Sequence, residues 1–87
     1  MAELASDLLL KLDEAKKLVE VGGTYVHYRS PDKPYKVLAV ALLEATEEPY
    51  VVYQALHNLV VWVRALDSWL SIVPHEGQMV PRFRKNV

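Results

Sequence analysis

The sequence predicts a mainly β domain: five short strands closed into a small antiparallel barrel, preceded by one amphipathic α-helix. Three observations lead there. Helical spacing of apolar residues is confined to the stretch before Gly22-Gly23. Beyond that pair, apolar and β-branched residues come in short runs separated by turn formers. At 87 residues, with 52% apolar and 24% charged side chains, the chain has the balance of one globular domain near the lower size at which a single core suffices. Residues 1–21 are read as the helix and 22–87 as the barrel.

In the helix, expected over Glu3 to Val19, the residues Leu4, Leu8, Leu12, Ala15 and Val19 recur at a helical period, and Leu9 and Leu18 widen the stripe. Ser6 or Asp7 can cap its start, Lys16 and Lys17 suit the negative end of its dipole, and Gly22-Gly23 supplies a left-handed stop. Strands are expected over Thr24–Tyr28, Tyr35–Leu43, Tyr50–Leu56, Leu59–Arg64 and Met79–Arg84. Between the first two lies a loop from Arg29 to Pro34, and His57-Asn58 reads as a tight two-residue turn. Asp67–Leu70 reads as one helical turn, another turn falls between Val73 and Gln78, and Pro81 marks an edge or bulge. Five short strands with a helical turn before the last form the SH3-like pattern; an open sheet capped by a helix is the alternative.

The second strand is apolar on both faces, with Val37, Ala39, Ala41 and Leu43 on one and Leu38, Val40 and Leu42 on the other. The fourth behaves likewise, with Leu59, Val61 and Val63 against Val60 and Trp62. One face fills the barrel, so the other is expected to lie under the leucine stripe of the helix or under a second subunit.

Several chemistries have no support. With no cysteine there are no disulfides and no thiolate metal sites, an economy that suits a reducing cytoplasm. His27, His57 and His75 show no metal-ligand spacing, so neither a metal nor a cofactor is expected. No serine stands in a nucleophile motif, and Glu44, Glu47 and Glu48 read as a solvated turn, so the chain is not expected to be an enzyme. The longest apolar run, Val37 to Leu43, is too short to span a bilayer, and Glu3 and Asp7 stand where a signal peptide needs positive charge. A net charge of −1 argues against a nucleic-acid footprint.

Aromatic residues are the positive clue. The chain has five tyrosines and two tryptophans, and small barrels bind peptides or bases through a strip of rings beside an arginine. His27, Tyr53, Trp62, Arg64 and Arg82 are the candidate strip. The competing structural reading places most rings in the core and pairs or stacks Arg64 and Arg82 against Asp67 or a ring.

Four segments in order, Gly23-Thr24-Tyr25-Val26-His27-Tyr28, Pro49-Tyr50-Val51-Val52-Tyr53-Gln54-Ala55-Leu56, Trp62-Val63-Arg64 and Val80-Pro81-Arg82-Phe83, resemble the DUF1653 family, small and mostly bacterial domains of unknown function. The resemblance covers residues 23 to 84 and implies an SH3-like barrel. Where that family usually carries a polar Arg-His-Ser-Glu-Thr run, this chain has Leu42, Leu43, Glu44, Ala45 and Thr46, which puts an inherited polar site in doubt. The expected function is therefore a non-enzymatic interaction module for a protein or peptide, or for a second copy in a homodimer. Single-stranded nucleic acid or a small ligand at the aromatic–arginine strip is the alternative.

Overall fold

The computed structural model describes residues 5–86. Helix α1 spans Ala5–Lys16, followed by β1 (Thr24–His27), β2 (Ser30–Leu43), β3 (Glu48–Ala55), β4 (Val61–Ala65), the one-turn helix α2 (Leu66–Trp69), β5 (Ile72–His75), β6 (Gln78–Pro81) and β7 (Phe83–Lys85). Five strands form one antiparallel sheet in the order β4-β3-β2-β1-β7, and β5 and β6 form a separate hairpin. Among the described residues no helix is long and apolar enough to cross a membrane.

The chain is mainly β behind one helix, but the predicted barrel does not close. β4 and β7 are the two edges of the sheet and share no ladder. The sheet nevertheless curls until the edges meet through side chains: the Arg64 guanidinium of β4 lies 5.4 Å from the centre of the Phe83 ring of β7. Between those strands the chain is occupied by α2 and the extra β5–β6 hairpin. That hairpin turns at Glu76-Gly77, both at positive φ (52° and 79°), the backbone of a two-residue primed turn. The expected single last strand is thus two, broken at Arg82 beside Pro81.

Other boundaries differ for local reasons. The expected loop at 29–34 is strand: β1 turns through Tyr28-Arg29, His27 pairs with Ser30, and β2 starts there despite Pro31 and Pro34. His57-Asn58 is not a two-residue turn. Leu59 takes a left-handed conformation, its N–H bonds the Ala55 carbonyl, and the Ala55 N–H bonds Val60, so β4 begins only at Val61. The helix ends at Lys16, earlier than expected, while Glu3 and Leu4 lie outside the described residues. Gly22 (φ 87°) turns the chain into the sheet, its N–H on the Val37 carbonyl at 2.8 Å.

The core joins the helix to the concave face of the sheet: Ala15 and Val19 pack with Tyr25, Val37, Val40, Val51, Tyr53, Leu66, Trp69 and Phe83, with Leu12 and Tyr35 against them. The period-two reading of β2 fails at a bulge. Val37 pairs with Tyr53 and Ala39 with Val52, which leaves Leu38 as the extra residue. Val37 and Val40 therefore share the core face, both buried, while Leu38 is exposed. The expectation that the helix covers the second face of the sheet is overturned: α1 closes one end of the same core that the concave face builds. Its Leu9 and Leu10, and Leu18 just after it, are exposed.

Candidate functional site

Away from the end closed by α1, the concave face opens into a cavity of about 250 Å³ lined by His27, Ser30, Tyr35, Tyr53, Trp62, Arg64 and Phe83. Ladder register puts these side chains together. Tyr53 of β3 lies directly between Val37 of β2 and Trp62 of β4, and Arg64 pairs with Val51, so Trp62 and Arg64 share the concave face with Tyr53. From the other edge, His27 pairs with Phe83.

Four of the five sequence-predicted residues line the cavity: His27, Tyr53, Trp62 and Arg64. Arg82 does not. It stands close enough to His27 for its charge to lower the imidazole pKa. Sequence reasoning did not single out Tyr35 and Phe83; the signal was their position on strands already expected to face the core. Both join a cluster of edge-on rings, with Tyr35–Tyr53 centroids 5.4 Å apart and Tyr53–Phe83 5.7 Å apart. Phe83 also stacks on Trp69 at 3.8 Å, nearly parallel.

The basic groups are held by neutral partners. Arg64 Nη1 donates to Ser68 Oγ at 2.9 Å and its Nε to Tyr53 Oη at 3.4 Å. Of the two partners expected for Arg64 and Arg82, Asp67 forms no salt bridge with either, whereas Arg64 lies against the Phe83 ring. Arg82 Nε donates to Ser71 Oγ at 2.8 Å, and that hydroxyl donates to the Ser68 carbonyl at 2.6 Å. α2, through Ser68, and the turn after it, through Ser71, thus anchor the two guanidiniums. His27 Nδ1 accepts the Arg29 N–H at 3.2 Å, which leaves the proton of the neutral ring on Nε2. Burial, then the charges of Arg64, Arg82 and Arg29, hold the His27 pKa below 6.5. Such a group of donors with rings around it can bind, but it offers no activated nucleophile and no paired carboxylates.

A second groove, of about 440 Å³, lies between α1 and the start of β3, with Leu10, Ala15, Leu18, Pro49 and Leu66 on its walls. Its lysine, Lys11, is engaged by the Glu47 carbonyl at 3.3 Å and by Glu48 at 3.8 Å. Among the described residues no group of three or more His, Asp or Glu is placed to hold a metal ion.

A family profile described as a protein of unknown function (DUF1653) matches residues 23–85. The chain belongs to the DUF1653 family. A solved structure of a DUF1653 protein from Bordetella bronchiseptica is similar, with 30% sequence identity and a TM-score of 0.64 over 76% of this chain and 85% of that one. No curated protein matches. Every cavity-lining residue falls inside the DUF1653 segment, whereas α1 and the residues that follow it precede that segment and still contribute Ala15 and Val19 to the core.

Proposed function

We propose that the chain is a non-catalytic binding module whose binding surface is the aromatic–arginine pocket, and that its partner is a protein or peptide segment laid along β4. One observation carries this reading: Trp62 belongs both to the pocket wall and to an edge strand whose ladder runs only to β3. An extended segment added beside β4 would take main-chain hydrogen bonds there and turn alternate side chains toward the pocket. The strand order and the helical turn after β4 also support an SH3-like barrel opened along the β4–β7 seam. A bacterial cytoplasm is the setting we propose, in keeping with a cysteine-free chain. Selection from a displayed library of random peptides tests the reading. Peptides recovered on the full chain should lose at least tenfold in affinity on Trp62→Ala. Binders indifferent to that change, or an empty selection, would overturn it.

Self-association through the same edge is a second reading, supported by the exposure of Val61, Trp62 and Val63 (51%, 52% and 63%) in a strand with no lysine, proline or bulge to protect it. Sedimentation velocity over a hundredfold concentration range should show a dimer that Val63→Lys abolishes. A monomer throughout removes the reading. Single-stranded nucleic acid stacked on the rings is disfavoured by the net charge of −1.

A further inference from the structure

Taken as the binding surface, a reading on which this inference rests, the pocket also selects the chemical group its ligand carries. We infer that it seats an oxyanion borne on a planar ring, with Arg64 and the neighbouring Arg82 supplying charge, His27 an N–H, and Tyr53 and Trp62 apolar walls.

A guanidinium has five N–H donors and no acceptor. Arg64 uses two of its nitrogens on Ser68 and Tyr53, and Arg82 uses its Nε on Ser71. These acceptors are neutral. They fix the heads in place and leave both charges uncompensated, because neither arginine forms a salt bridge among the described residues. The remaining donors are not sealed away, since among the described residues no buried side-chain nitrogen or oxygen lacks a partner. His27 adds a third donor of fixed direction: its Nδ1 is occupied by the Arg29 N–H, so Nε2 carries the proton. Among the described residues no carboxylate lines the cavity. Such a set repels cations and offers a hydroxyl ligand only the neutral hydroxyls of Ser30, Tyr35 and Tyr53 as acceptors, but suits the lone pairs of a carboxylate, phosphate or sulfate.

The ring follows from the rest of the wall. Tyr35, Tyr53, Trp62 and Phe83 surround the donors, and a fully hydrated anion would meet them at a loss. At about 250 Å³ the cavity is smaller than the roughly 300–1,000 Å³ of a drug-sized pocket, which suits one substituted ring. Burial and the charges of Arg64, Arg82 and Arg29 depress the His27 pKa, and a bound anion would cancel the repulsive part of that effect.

Phenyl phosphate, benzoate, benzyl alcohol and inorganic phosphate, each titrated into the full chain at neutral pH and low salt with pocket NMR resonances followed, test this. The two ring anions should saturate shifts centred on His27, Tyr53 and Trp62 at concentrations at least tenfold below either benzyl alcohol or inorganic phosphate. The His27 pKa should rise on saturation, a response that a purely structural role would not give. Arg64→Gln should weaken phenyl phosphate at least tenfold. Because Arg64 also packs near Phe83, Arg82→Gln serves as the second variant and should weaken it at least threefold. Benzyl alcohol binding as tightly as the anions would overturn the oxyanion while leaving the pocket a binding surface. Inorganic phosphate matching phenyl phosphate would overturn the ring. Silence from all four probes would overturn the inference, with the peptide selection still deciding the pocket on its own.

Discussion

At Leu59 a branched side chain is held at φ 63°, the left-handed region that favours glycine, while remaining 65% exposed. An L-residue there costs about 1–2 kcal/mol of backbone strain, and so exposed a leucine recovers little by burial. Leu59→Gly relieves the strain but adds unfolded-state entropy, for an expected net gain of about 0.5–1 kcal/mol. A urea midpoint that rises with an unchanged m-value is the check. His27 carries the second expectation at this scale. Its folded pKa is held below 6.5, first by burial and then by Arg64, Arg82 and Arg29, so on acidification the unfolded chain binds its proton first. The folded state therefore has its full stability above about pH 6.5 and loses it as the pH falls toward the lower folded value. Between about pH 7.5 and pH 5 the wild-type urea midpoint should drop more than that of His27→Gln, and equal drops would remove His27 as the source. The pocket was legible at this scale where a residue type resisted burial, as with His27 and Arg64, though the same ground also picked Arg82, which stands outside the lining. It was not legible for Tyr35 and Phe83, whose rings look the same in sequence whether they fill a core or wall a cavity.

Elements were legible where one period persists and illegible where the backbone breaks it. Strict alternation groups Leu38 with Val40, yet the bulge separates them, with Val40 at 7% exposure and Leu38 at 39%. Val40→Ala should cost about 1.5–2.5 kcal/mol, from two methylene equivalents and part of a cavity. Leu38→Ala should cost less than about 1 kcal/mol, and equal losses by thermal or urea unfolding would contradict the bulge. The helix shows the same limit. Its leucines gave the periodicity, but what packs is the smaller set of Leu12 and Ala15, with Val19 beyond its end. Ala15, at 2% exposure, lies close to the sheet, so Ala15→Leu should overpack at about 1–3 kcal/mol, whereas Leu10→Lys should fall within about 0.5 kcal/mol. At Glu76-Gly77 the turn and the strand after it, with Pro81 at an edge or bulge, were legible, whereas β5, which carries Pro74, was not. Both prolines occupy a two-stranded ribbon, where each strand has a free edge and needs half the usual donors.

For the molecule as a whole, an unclosed sheet must bury its concave face by other means, and here one end of it is closed by a segment that the family profile does not cover. The profile begins at residue 23, while Ala15 and Val19, at 2% and 1% exposure, sit in the same cluster as Val37, Val51 and Trp69. Losing a fully buried valine, a buried alanine and most of a leucine removes about 3–5 kcal/mol of apolar burial, a large share of the roughly 5–15 kcal/mol by which a domain is stable. A chain started at Gly22 would also lose the bond from the Glu20 N–H to Tyr25 Oη (3.0 Å) and the Glu20–Lys85 ion pair (2.8 Å) that tie this segment to β1 and β7. That shortened chain should therefore lose its cooperative thermal transition, keep part of its far-ultraviolet strand signal, and bind a hydrophobic dye, the behaviour of a core opened at one end. If it instead melts cooperatively within a few degrees of the full chain, the sheet is self-sufficient and the helix is an accessory. The pocket, built wholly from residues after the helix, should then retain its affinities unchanged.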